Sequence, residues 1–273
     1  MELKILEAIP EVFSRQYTTL EPNTRALVAL SLLRFQKVDA IPIGAAVSGG
    51  RKIAVSGYSS LSEVFASSRS NFAEFLEKPC KNISVELATI EAGDDVKNLL
   101  RTITRTRLGF ACIEENIGQE MCGLVSLRDL LPLYGKSIFR SKLSIAEVAS
   151  SPVFSLEQDA TLKSALSEML RHGIRRVFVT GTNKVVSDRS IINHIFSASK
   201  LHKASSESYD LLEAKISEID GSCPNNISSD ANVGVGAETI IQTTDDCLVC
   251  EKGVITPWDI VIKPWKLGKL VVT

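Results

Sequence analysis

Two seven-residue segments, Gly123-Leu-Val-Ser126-Leu-Arg-Asp129 and Gly253-Val-Ile-Thr256-Pro-Trp-Asp259, share side chains whose order could do chemistry. Each has a glycine, two apolar residues, a hydroxyl side chain, two variable positions and an aspartate. An aspartate carboxylate can accept both vicinal hydroxyls of a ribose, the logic of the acidic residue in dinucleotide sites. A serine or threonine hydroxyl beside the free N–H groups of a helix start suits a phosphate. The glycine and the apolar pair let a flat base approach backbone and hydrophobic side chains. A second role fits the same spacing, because [Ser/Thr]-x-x-[Asp/Glu] before an apolar run is close to a capping box.

Weaker copies occur at Ala54-Val55-Ser56-Gly-Tyr-Ser59 and Val185-Val186-Ser187-Asp-Arg-Ser190. The hydroxyl positions Ser56, Ser126, Ser187 and Thr256 are spaced by 70, 61 and 69 residues, which marks an array of one supersecondary unit. Upstream, Thr19-Leu-Glu lies in register with Ser155-Leu-Glu157, and the register holds through Lys37–Ile43 against Gly173–Val179. The second copy aligns through Thr89-Ile-Glu91 and Ala111-Cys-Ile113, and the fourth through Leu248-Val-Cys250.

Each repeat reads strand–helix–strand–strand–helix. In the third, Leu162, Ala165, Leu166 and Met169 form the i, i+3, i+4, i+7 face of a helix, and Val177-Phe-Val179 reads as a buried strand. Val185-Val186 is a second strand, and Ile191, Ile192, Ile195 and Phe196 mark a closing helix. In the fourth repeat, Gly234 and Gly236 are expected to interrupt the first helix. Gly234-Val-Gly236 lacks the third glycine and the preceding strand of a dinucleotide fingerprint. A unit of about 60 residues is too small to bury a large core alone, so the repeats should pair.

Composition narrows the function. With 44% hydrophobic residues the chain can build real cores, and a formal net charge of −1 argues against bulk binding to nucleic acid or an anionic membrane. No apolar run approaches the length that spans a bilayer, and the acid-bearing start Met1-Glu-Leu-Lys-Ile-Leu-Glu7 lacks secretory features, so a cytoplasmic protein is expected. Of six cysteines only Cys247-Leu-Val-Cys250 forms a CxxC; without a second pair, no metal site is expected. No HExxH, GxSxG or P-loop occurs, and no nucleophile, base and orienting group cluster, so the expected class is not an enzyme.

Four repeats of this element order, each carrying or echoing Gly-apolar-apolar-[Ser/Thr]-x-x-Asp, resemble cystathionine-β-synthase (CBS) domains. Ile41-Pro42-Ile43 also matches the family's Ile/Val-Pro-Val strand. The resemblance covers about residue 7 to residue 265 and is similar to stand-alone archaeal CBS proteins and to the gamma subunit of AMP-activated protein kinase. It implies an α/β fold of four CBS repeats, at 1–70, 71–138, 139–203 and 204–273, paired into two pseudo-two-fold Bateman modules. Repeats one and two are expected to form one module and repeats three and four the other, with a break within 135–145.

By the same resemblance, Ser126 and Thr256 would contact phosphate, while Asp129 and Asp259 would hold ribose. Gly123, Val125, Arg128, Gly253, Ile255 and Trp258 complete the two candidate nucleotide sites. The aspartate appears only in repeats two and four, with Ser59 and Ser190 in its place elsewhere, which favours one competent ribose site per module. Basic residues ahead of the repeat-three strand, Arg175 and Arg176, match positions that touch phosphates in the family. The alternative for them is a basic cluster at a helix end. Asp39 in repeat one and Asp245-Asp246 in repeat four depart from that pattern.

The implied function is regulatory binding of AMP, ADP or ATP, with no cofactor required, through ligand-induced rearrangement of the CBS modules. A protein partner or a homodimer would read it, with no nucleic acid and no membrane involved. The alternatives are an interaction scaffold with empty sites and an S-adenosylmethionine sensor.

Overall fold

The computed structural model describes residues 3–13, 15, 17–36, 38–44, 52–57, 60–62, 72–115, 121–195, 211–243 and 246–273. Phe196 and Ser59, both named above, lie outside the described residues, as does Asp245. The chain is a mixed α/β protein in which one small three-stranded sheet recurs. In repeat two, strand Thr89–Glu91 runs parallel to Phe110–Glu114, which pairs antiparallel with Met121–Ser126. Repeat three repeats the order with Ser155–Leu156, Arg176–Val179 and Val185–Ser187, and repeat four with Asn225–Asn226, Leu248–Cys250 and Gly253–Ile255. In repeat one a parallel bridge from Leu20 to Ile43 precedes the antiparallel pair Ala40–Pro42 and Ile53–Ser56.

The helix of repeat three spans Leu162–His172. Thr161 caps it by accepting the Ser164 N–H at 3.2 Å, and Gly173, at φ +62°, ends it in the left-handed region glycine favours. Its buried face is Leu162, Ala165, Leu166 and Met169, the four positions that the apolar period marks. The equivalent helix Val96–Thr106 in repeat two is capped by Asp95, which accepts the Asn98 N–H at 2.7 Å.

The repeat-four helix corrects one expectation. It runs unbroken over Val233–Gln242, through both Gly234 and Gly236. A Cβ on Gly236 would come within 2.7 Å of Ile145 Cδ1 and 2.8 Å of Ile260 Cδ1. The glycine therefore admits two neighbouring helices rather than breaking its own.

A second feature is the exchange of leading segments. Residues 3–12 precede repeat one but dock on repeat two: the Ile5 N–H donates to the Asp94 carbonyl at 2.9 Å and the Val96 N–H to Leu3 at 3.1 Å. Residues 78–83 precede repeat two but dock on repeat one, with Ala26 N–H donating to Lys78 at 2.8 Å and Cys80 N–H to Thr24 at 2.7 Å. Repeats three and four trade leads the same way, through Ile145 to Ala231 at 2.8 Å and Ile216 to Ala160 at 2.9 Å.

The compact bodies are not the contiguous halves. One unit comprises Met1–Tyr17, Leu87–Val153 and Pro224–Thr273, and the other Thr18–Glu86 and Phe154–Cys223. Repeats two and four thus share one core and repeats one and three the other, while the leading segments are exchanged within the pairs one–two and three–four. The cause is where apolar helix faces go. Leu130, Leu133, Tyr134, Ile145, Ile240 and Ile260 belong to one buried cluster, and the Tyr134 hydroxyl donates to the Ile260 carbonyl at 2.7 Å. The stretch 135–145 holds no break, because Phe139, Leu143 and Ile145 are buried in that same cluster. In the other unit, Leu30, Ile41 and Val55 pack with Leu166, Val177 and Ile191. Among the described residues no helix is long and apolar enough to cross a membrane.

Candidate functional site

Both seven-residue segments sit where the last strand of a three-stranded sheet turns into a helix. In repeat two, Ser126 ends its strand in an extended conformation and caps the helix Leu127–Leu130. The Ser126 N–H and hydroxyl both donate to Asp129 Oδ2, each at 2.8 Å. In repeat four the Thr256 N–H and hydroxyl donate to Asp259 Oδ2 at 2.8 and 2.7 Å, ahead of the helix Pro257–Lys266. Both are capping boxes in full, so the capping role weighed for this spacing is present in each copy.

The cap uses one carboxylate oxygen and leaves the other. Repeat three shows that a carboxylate is not needed for it. Ser190 Oγ accepts the Ser187 N–H at 2.8 Å, and Ser187 Oγ accepts the Ser190 N–H at 3.1 Å, which closes the same reciprocal pair with serine alone. The second oxygen is therefore what Asp129 and Asp259 add.

Its surroundings differ sharply between the two. Asp259 Oδ1 accepts the Ser150 hydroxyl at 2.6 Å and lies 2.8 Å from Lys263 Nζ, with the carboxylate only 2% exposed. Lys263 also donates to the Val148 carbonyl at 2.7 Å and to Ser150 Oγ at 2.9 Å, so all three ammonium hydrogens have acceptors. Asp129 Oδ1, by contrast, meets Arg15 at 2.6 Å; the carboxylate is 10% exposed and the arginine 49%. Burial would lower the Arg15 pKa, but the hydrogen bond and charge of Asp129 outweigh it and raise the value. Ser150 and Arg15 both come from exchanged leading segments and lie 109 and 114 residues from the aspartates they meet, so no local spacing connects them; Lys263 alone had a local signal, one helical turn after Asp259.

The two glycines of the motif face leading segments as well. A Cβ on Gly123 would stand 3.1 Å from Val12 Cγ1. At Gly253, where φ is +149°, it would stand 2.1 Å from the Ser150 carbonyl oxygen. Val125 and Ile255 are fully buried in the shared core. Trp258 packs partly buried against that core, with Lys266 Nζ 5.6 Å from its ring. Arg128 donates to the Ile241 and Thr243 carbonyls, both at 3.0 Å, and pairs with buried Asp246, so it ties repeat two to the end of the repeat-four helix.

Arg175 and Arg176 lie in the other compact unit, so neither unit holds these arginines together with a motif aspartate. Arg175 Nε donates to Asp188 Oδ2 at 2.8 Å, and its Nη2 donates to Asp39 Oδ1 at 3.3 Å. Arg189 reaches the same Asp39 oxygen at 3.5 Å. Burial alone would raise the Asp39 pKa, but Arg175, Arg189 and Arg176 outweigh it and hold the carboxyl below its ordinary value. Burial would likewise lower the Arg175 pKa, and Asp188 and Asp39 reverse that. Arg176 begins a core strand opposite Ser187. Cys247 and Cys250 are both buried and form no disulfide, and no group of metal-ligating side chains occurs among the described residues.

Comparison with known proteins agrees with this architecture. Residues 145–197 match the family model of the CBS domain. The fold is similar to that of protein MJ1225 from Methanocaldococcus jannaschii, proposed as an archaeal homolog of g-AMPK, with a TM-score of 0.81 and 17% identity over 95% of this chain and 99% of that one. It is also similar to an uncharacterized conserved protein from Pyrococcus horikoshii, at a TM-score of 0.50 and 11% identity, over 82% of this chain and 89% of that one. No curated protein matches the sequence. Residues 145–197 thus resemble a CBS domain, within an α/β fold similar along nearly its whole length to that of MJ1225.

Proposed function

We propose that the chain is a regulatory protein that binds an adenosine-bearing ligand, an adenine nucleotide such as AMP, ADP or ATP, at Asp129 in repeat two. The observation that carries this is the leftover oxygen. Ser190 completes the helix cap without a carboxylate, whereas Asp129 offers a second oxygen covered by one half-exposed arginine. A carboxylate in that position can accept a vicinal diol, which is what a ribose presents. The shared fold with a proposed g-AMPK homolog supports a regulatory rather than catalytic role. Ligand at Asp129 would act on the leading segment that carries Arg15 and so bias which arrangement of the repeats a partner protein or a second copy reads.

The closure of Asp259 favours a narrower version of the scaffold reading, in which repeat four is a structural element with no ligand. Isothermal titration with adenosine, AMP, ATP and S-adenosylmethionine tests both. An adenine ligand should bind, and Asp129→Asn should weaken it by about 10- to 100-fold through loss of charge-assisted hydrogen bonds. If none of the four binds at millimolar concentration, the scaffold reading takes the whole protein.

A further inference from the structure

We propose that Arg15 is a latch on Asp129, and that a nucleotide replaces both halves of the pair at once: its ribose hydroxyls take the carboxylate and its phosphate takes the freed guanidinium. The inference rests on Asp129 being a ribose acceptor, and it adds the residue that sets phosphate preference.

The geometry separates a latch from a permanent tie. Lys263 and Ser150 hold Asp259 in a closed network with every ammonium hydrogen used. Arg15 is half-exposed, and Asp129 is its ion-pair partner among the described residues. A pair open to water on its arginine side is screened there and can exchange. The base of the arginine is nevertheless anchored. The Tyr17 hydroxyl lies 2.7 Å from the Val12 carbonyl and 3.1 Å from Leu124, which pins the turn carrying Arg15 beside the strand that leads into Ser126. Val12 is buried against Gly123 from the same side. The guanidinium therefore stays near the site after it leaves the carboxylate, and its planar fork suits phosphate oxygens.

Charge stays balanced through the exchange with a nucleotide, because each member of the broken pair gains a new partner. Adenosine can satisfy only the carboxylate and strands the arginine in water. The two ligands must therefore respond oppositely when the arginine is removed.

Titration of adenosine and AMP into the wild type, Arg15→Ala and Arg15→Lys gives the test, with thermal midpoints to confirm that each variant folds. In Arg15→Ala, adenosine should bind about 2- to 5-fold more tightly, because no pair has to be opened. AMP should bind about 10-fold more weakly, because its phosphate loses a charged donor. Arg15→Lys should recover part of the AMP affinity. If both ligands shift in the same direction, or neither shifts, the latch is wrong and the ribose site stands. If neither ligand binds the wild type or any variant at millimolar concentration, the ribose reading fails and the latch falls with it.

Discussion

Asp39 and Arg175 occupy equivalent places in repeats one and three, 136 residues apart, each just ahead of a core strand, and they face each other at 3.3 Å inside one compact unit. Arg189, two residues after the hydroxyl of the repeat-three motif, joins the same aspartate. The other unit repeats the arrangement: Arg128, two residues after the repeat-two hydroxyl, pairs with Asp246 ahead of the repeat-four strand. The acids that depart from a basic pattern are thus the partners of motif arginines. They neutralise cations that would otherwise be offered to a phosphate, so the charge for a nucleotide has to come from elsewhere, and Arg15 is placed for it.

This network makes the stability of the second unit acid-sensitive. The Asp39 carboxyl is held below its ordinary value, about 3.9 in an unfolded chain. Its contribution is complete above that ordinary value and is lost as the pH falls below about 4 through the depressed folded-state value. Asp39→Asn should lower stability at pH 7 by about 1–3 kcal/mol and flatten the pH dependence below about 4. Denaturant titrations at several pH values measure this, and parallel pH profiles for variant and wild type would exclude it.

Much of this was legible because it is periodic. The apolar period marks the buried face of Leu162–His172, and the spacing of four hydroxyls marks four repeats, since both are local patterns set by helix pitch and unit length. The pairing of repeats was not legible. An apolar face on Leu130 or Ile260 says that it must be covered, not which repeat covers it, and the period of Ile5, Ala8, Ile9 and Val12 in an exchanged lead does not say which repeat it docks on. Arg15 was missed for the same reason. It lies 114 residues from Asp129, and no spacing rule connects them.

The two motif aspartates should differ in what they hold. Asp259→Ala removes the acceptor for Thr256, Ser150 and Lys263 at a site 2% exposed, and should cost about 3 kcal/mol, a charged hydrogen bond plus a helix cap. Asp129→Ala loses a cap and an ion pair open on its arginine side, and should cost about 1–2 kcal/mol. Urea denaturation of both variants measures the difference. Equal losses would show that the two sites are equally structural.

The motif glycines should rank in the same order. Gly253→Ala combines a φ of +149° with a Cβ 2.1 Å from the Ser150 oxygen, a backbone atom that cannot rotate away, and should cost about 3 kcal/mol or more. Gly123→Ala meets only Val12 Cγ1 at 3.1 Å and should cost about 1 kcal/mol. Adding Val12→Ala should give a double variant more stable than the sum of the single losses allows, because the new methyl fills the space vacated by the valine. Strict additivity would place the strain at Gly123 somewhere other than Val12.

Cutting the chain at its middle tests the pairing of repeats. A fragment of residues 1–138 keeps Leu100, Leu130 and Tyr134 of one core but loses Ile145, Ile240 and Ile260. From the other core it keeps Leu30, Ile41 and Val55 but loses Leu166, Val177 and Ile191. A fragment of 142–273 has the complementary deficit. Each fragment does retain its own exchanged leads, so local strand and helix structure can form. What it lacks is the opposite half of each apolar interior, and exposing that much apolar surface removes the main driving force for folding. Expressed singly, each fragment should be insoluble or unfold without a cooperative transition. Expressed together, they should associate and regain one, with a midpoint that depends on concentration. Two soluble halves with independent cooperative transitions would show that each half carries a sufficient core of its own.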